Sequence, residues 1–194
     1  MSNLASSHDR GAPHGPGDGR GRAPLPDRPT PLTLTAMTDR PRFSPVSFLF
    51  WLAVSFAPGV TGYAFKPDAW YRKLVKPDWN PPDWVFAPAW LTLYTLIGIA
   101  VYRVARRSGH PAVPAALTWF FIQLVLNALW TPLFFGLHRP DLALICIVAL
   151  WIAIVGTMRA FARVTPASAA LLVPYLAWVS FATALNAAIW HLNR

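Results

Sequence analysis

The chain has 194 residues, 55% of them apolar and only 13% charged, where soluble domains usually carry about a quarter charged residues. Its formal charge of +9 comes from Lys and Arg that flank long apolar runs, where they meet lipid headgroups, so the charge does not point to nucleic acid. Cys146 is the single cysteine, which leaves no partner for a disulfide or a thiolate metal cluster.

Taken in order, residues 1–44 differ in kind from the rest. Segments such as Gly11–Arg20 are rich in Gly, Pro and charge, with almost nothing to bury, and a disordered tail is expected. The tail has no apolar core of the roughly 7–15 residues that a secretory signal needs. Asp9, Asp18, Asp27, Asp39 and the many prolines argue against an organellar transit peptide, and Met37 is a candidate natural start.

From there on the charges cluster, leaving five stretches without Asp, Glu, Lys or Arg: Phe43 to Phe65, Trp84 to Tyr102, Ser108 to Leu137, Leu142 to Met158 and Val164 to Asn193. A helix crosses about 30 Å of hydrocarbon with roughly 20 apolar residues. The fourth stretch is shorter, but Asp141 and Arg159 at the two headgroup levels extend it. None of the segments carries the polar face that a soluble helix needs. Runs such as Leu142–Trp151 do not alternate, which excludes β-barrel strands. The reading is an all-α integral membrane protein, a five-transmembrane-helix bundle over 45–194. Its helices are expected at 45–65, 84–104, 112–136, 141–161 and 167–191.

The longest connection, 66–83, is rich in aromatic, basic and proline residues. Asp68 is placed to cap a short turn with Trp70 and Leu74 on one face, and Pro77, Pro81 and Pro82 stiffen the return into the second span. Two uses compete for this loop: a lid over the bundle, or an interfacial segment whose Trp and Tyr sit among headgroups.

Much conventional chemistry is missing. No ionisable acid or base lies inside the apolar runs, which removes support for proton-coupled pumps and voltage sensors. The five histidines fall in the tail or near helix ends, not at the depth where axial haem ligands sit. No zinc-protease motif, nucleophile elbow or phosphate loop is present, so neither catalytic nor metal-binding residues are assigned.

What remains is aromatic and amide. Of ten tryptophans, Trp51, Trp70, Trp79, Trp84 and Trp190 lie near helix ends or in the loop, where interfacial anchors belong. Trp178 lies deeper. Gln123, Asn127 and Trp130 share one face of the third span at i, i+4, i+7 spacing, and Trp90 and Tyr94 are one turn apart on the second. On the fifth span Tyr175, Trp178, Ala182 and Asn186 share a face, and Pro174 is expected to free a carbonyl there. Membrane Asn and Gln often only bridge helices. The alternative is a shared, uncharged, flat-walled cavity suited to a planar conjugated ligand.

These residues also carry a resemblance. The run Lys76-Pro-Asp-Trp-Asn-Pro-Pro-Asp-Trp-Val-Phe-Ala-Pro-Ala-Trp-Leu-Thr-Leu-Tyr94 resembles the signature of the TspO/MBR family of tryptophan-rich sensory proteins and translocator (peripheral-type benzodiazepine receptor) proteins. Gln123-Leu-Val-Leu-Asn-Ala-Leu-Trp-Thr-Pro-Leu-Phe-Phe135 and Pro174-Tyr-Leu-Ala-Trp-Val-Ser-Phe-Ala-Thr-Ala-Leu-Asn186 are similar to two further blocks, so that the likeness covers about 45–193. The resemblance implies a five-helix bundle, often a homodimer, that binds porphyrins such as protoporphyrin IX beneath the first loop, with no cofactor required. It implies a receptor or transport role in tetrapyrrole metabolism, with light-dependent porphyrin breakdown as the alternative. By motif position Trp70 and Tyr71 would belong to the lid, and Trp90, Asn127, Trp130, Trp178 and Ala182 to the pocket. The family's C-terminal sterol motif needs a Tyr that Leu185 to Arg194 lacks, so the resemblance does not extend to sterol there.

With the N-terminus cytoplasmic, Arg28, Arg40, Arg42, Arg103, Arg106, Arg107, Arg159 and Arg163 fall on that side. The other side has Lys66, Arg72, Lys73, Lys76, Arg139 and Arg194, a small excess in favour of this orientation. A bacterial cell membrane is the expected location, with an outer membrane as the other possibility.

Overall fold

The computed structural model describes residues 43–194; the tail expected over residues 1–44 and the candidate start at Met37 lie outside the described residues, apart from Phe43 and Ser44. The described chain is all-helical. Helix α1 covers Pro45–Ala64 and the short α2 Ala69–Lys73. A 3₁₀ turn at Asp83–Val85 leads into α3, Phe86–Ala105. Helix α4, Val113–Thr131, continues into a π turn at Pro132–Gly136. Helix α5 is Pro140–Val164, α6 Pro166–Ala170 and α7 Val173–Leu192. Five segments are long and apolar enough to cross a membrane: Pro45–Ala64, Asp83–Ala105, Val113–Gly136, Pro140–Val164 and Pro166–Leu192.

Prolines punctuate these helices where a missing N–H costs least. Pro45, Pro114, Pro140, Pro166 and Pro174 all stand in first turns, where the N–H would have no intrahelical partner. Pro174 therefore starts a helix instead of freeing a carbonyl within one. The fifth span is interrupted just before it, at Leu171–Leu172. Pro58 is different: it lies inside α1 and cannot donate to the carbonyl one turn earlier.

Packing follows residue size. Helix α1 packs chiefly on α3 and also on α4, α4 on α5, and α5 on α7. A Cβ on Gly98 would stand 3.1 Å from Leu52 Cα and 2.8 Å from its Cδ1, so the bare glycine lets α1 and α3 approach. Gly156 does the same for α5 and α4, where Trp119 lies on it. Phe120, Phe161, Tyr175, Leu150 and Ile154 fill the interior, while Val46, Leu49, Val60, Leu91, Val125, Ile145 and Ile152 point outward. A surface this apolar suits lipid, not water. Helices α3 and α7 close the ring by aromatic side chains: Phe86 meets Trp178 at 5.8 Å and Trp90 meets Tyr175 at 6.3 Å. The space between them is a cavity.

Candidate functional site: an aromatic cavity under a loop-borne lid

Four polar side chains, of which Tyr94 and Asn127 line the cavity, satisfy one another. Tyr94 Oη on α3 donates to Asn127 Oδ1 on α4 at 3.1 Å, and Asn127 Nδ2 donates to Tyr175 Oη on α7 at 2.7 Å. Tyr175 Oη in turn donates to Gln123 Oε1 at 3.0 Å. One turn on, Trp130 Nε1 donates to Asn186 Oδ1 at 3.0 Å, and Asn186 Nδ2 to the carbonyl of Pro140 at 2.8 Å. Buried away from water, each of these groups would be costly unpaired. They tie α3, α4 and α7 together beside the cavity. Helix bridging and cavity lining, alternatives at the level of sequence, are here the work of the same amide.

The cavity has a volume of about 550 Å³, within the roughly 300–1,000 Å³ usual for small-molecule sites. Trp90, Tyr94, Trp130, Trp178, Phe86 and Phe135 supply flat walls, and Pro58, Gly59 and Gly62 on α1 leave room opposite. Trp90 stacks on Tyr94 at 5.1 Å, with 28° between the planes. Of the residues singled out from sequence, Tyr71, Trp90, Asn127, Trp130, Trp178 and Ala182 all border this one space. Trp70 does not.

The lid is built by local capping and anchored by distant contacts. Asp68 Oδ1 accepts from the N–H of Tyr71 at 3.1 Å and so starts α2. Its other oxygen meets His138 Nε2 at 3.0 Å, and Trp70 stacks on the His138 ring at 4.4 Å. Trp70 thus faces the latch and Tyr71 turns inward, buried against Phe134 and Phe135. Burial, and then the charge of Asp83, raise the Tyr71 phenol above its ordinary value. Past α2, Asn193 closes a two-way clamp on Val75, accepting its N–H and donating to its carbonyl, both at 2.9 Å.

The π turn at Pro132–Gly136 makes the lid's seat. Pro132 has no N–H to continue the helix, and the N–H of Leu137 reaches back to the Pro132 carbonyl at 2.8 Å. The widened turn brings Phe134 under Trp130, stacked at 5.2 Å, and Phe135 under Tyr71. His138 follows with φ 55, in the left-handed region. Sequence reasoning did not find this latch, because Asp68 and His138 are 70 residues apart. Nor did it assign Phe65, Asp83, Phe86 and Phe135 to the cavity; the first two were legible as the ends of the long loop.

Together these features define a multi-pass membrane protein built around a cavity of ligand size. The model of the TspO/MBR family matches residues 47–191, and the chain belongs to that family. It is 44% identical over 146 residues to the tryptophan-rich sensory protein of Cereibacter sphaeroides, covering 75% of this chain and 90% of that one. Its identity to the tryptophan-rich protein TspO of Chlorobaculum tepidum is 47%, covering 73% and 92%. The human translocator protein is 41% identical over 129 residues, covering 64% of this chain and 75% of that one.

Proposed function

We propose that this protein binds porphyrin-class tetrapyrroles in the cavity beneath the lid and regulates or transports tetrapyrrole intermediates. The observation that carries the reading is the wall itself: three tryptophans and a stacked Trp90–Tyr94 pair around about 550 Å³. Aromatic faces grip a planar conjugated ring by stacking and edge contacts. Membership of a family that includes tryptophan-rich sensory proteins supports it. No cofactor is needed for such binding. A homodimer in a bacterial cell membrane belongs to the same reading.

The test is titration of detergent-solubilised protein with protoporphyrin IX in the dark, following tryptophan quenching. An unrelated membrane protein controls for partitioning into micelles. Saturable quenching that weakens several-fold in Trp178→Phe is the expected result; quenching equal to the control removes the porphyrin function and leaves the fold. A second reading draws on the oxidisable pair Trp90 and Trp178 in the wall: light- and oxygen-dependent breakdown of bound porphyrin. It requires a new absorption spectrum under illumination, abolished when both residues are Phe.

A further inference from the structure

Among the described residues, Asp83 is the only one lining the cavity that carries a formal charge; no described Lys or Arg lines it. Its place is set locally, since Pro81 and Pro82 precede it and it opens the 3₁₀ turn Asp83–Val85. The side chain is exposed at the mouth and forms no ion pair among the described residues. Its charge reaches Tyr71, the lid residue on the same mouth. Two loop cations rest on ring faces instead of pairing with Asp83 among the described residues. Lys76 Nζ sits 4.1 Å over the Tyr71 ring, and Lys66 Nζ 4.3 Å over that of Tyr63, both held by the ring face. The lining therefore offers a negative group to whatever touches the wall, with the loop cation Lys76 held over the Tyr71 ring.

We infer that Asp83 is a charge filter for the cavity, favouring planar aromatic ligands whose edge at the mouth is neutral or cationic over ligands that bring a carboxylate there. The inference rests on the tetrapyrrole reading for its physiological ligand, but not for its physics. A carboxylate delivered beside Asp83 meets like charge at the edge of a low-dielectric wall, where screening is weaker than in open water. A dicarboxylic porphyrin must turn its acid groups away from Asp83. An esterified or otherwise neutral ring is free of that restriction. Asp83 touches the entering ligand and sets selectivity; it takes no part in any reaction.

The experiment uses the full chain in neutral maltoside micelles, in the dark. Protoporphyrin IX and its dimethyl ester are titrated into wild type, Asp83→Asn and Asp83→Glu, with pyrenebutyrate and pyrenebutanol as a second acid–neutral pair. Asp83→Asn should tighten the acids by about three- to tenfold, the size of one partly screened like-charge contact. It should leave the neutral partners unchanged, and the gain should shrink as salt is added. Asp83→Glu should behave as wild type. Equal changes for acid and neutral ligands, or none for either, overturn the filter while saturable porphyrin binding leaves the tetrapyrrole reading standing. No saturable binding of either porphyrin overturns that reading instead, and the pyrene pair then decides the filter by the same criterion.

Discussion

His138 occupies a backbone position that glycine usually fills at the end of a helix, with φ 55. A side chain is strained there, and the structure shows what the side chain does in return: it bonds Asp68 and stacks under Trp70. The Tyr71 N–H, more than His138, holds the Asp68 carboxyl below its ordinary value of 3.8, with partial burial opposing. The sign follows. A carboxyl whose folded pKa is depressed stabilises the folded form above its unfolded pKa and loses that contribution as pH falls through the folded one. The Asp68 contribution to the lid should therefore be lost in acid, as pH falls below 3.8 and through the depressed folded value. Hydrogen exchange of residues 68–75, measured against pH, checks this. Asp68→Asn should abolish the dependence, and His138→Gly should raise exchange in the lid at every pH while leaving the five spans as protected as before. An acid response unchanged in Asp68→Asn would assign it to another group.

At the scale of elements, small residues and prolines determine where helices meet and end. Gly98 permits close approach of backbones, since a methyl there would press on Leu52 backbone as well as side chain. Gly98→Ala is expected to destabilise the bundle by about 1–3 kcal/mol, the usual range for overpacking. The measurement is loss of helicity on heating in detergent, with Gly62→Ala as control because a Cβ there meets nothing within 4 Å. The same elements show what sequence could and could not reveal. Five spans are readable because hydrocarbon demands long uncharged runs, and the runs are written locally. The break at Leu171–Leu172 was not read, since Pro174 suits either a kink or a first turn. The π turn was not read either: Pro132 announces an interruption, but not the i to i+5 bond that resolves it.

Across the described molecule, the acidic residues are confined to one end, while basic residues stand at both. Arg103, Arg106, Arg107, Arg159 and Arg163 gather at the end away from the lid, where Arg107 Nη1 bonds the carbonyl of Val164 at 2.7 Å. The acidic residues among the described ones, Asp68, Asp78, Asp83 and Asp141, all lie at the lid end, and Arg139 is paired there with Asp141. An arginine-rich end held in short turns is the end expected in the cytoplasm. With Cys146→Ser as background, Asp78→Cys should react with an impermeant maleimide on intact spheroplasts, and Ser108→Cys only after permeabilisation. The reverse pattern would place the lid, and the mouth of the cavity, on the cytoplasmic side.

By itself the sequence determined the solvent of this protein, and with it the fold class. Uncharged runs of membrane length leave a helical bundle as the solution for a backbone with no water to bond. It also marked Trp90, Asn127, Trp130, Trp178 and Ala182, because helical spacing groups them on aromatic and amide faces and the family resemblance implies that those faces line a pocket. Only the tertiary structure decided that these faces converge on one cavity, that Tyr71 turns in while Trp70 turns out, and that Asp68 finds His138. Periodicity tells which side of a helix is apolar or aromatic. Which helices stand beside one another, and how far apart, is settled by contacts between residues remote in sequence, such as Tyr94, Asn127 and Tyr175.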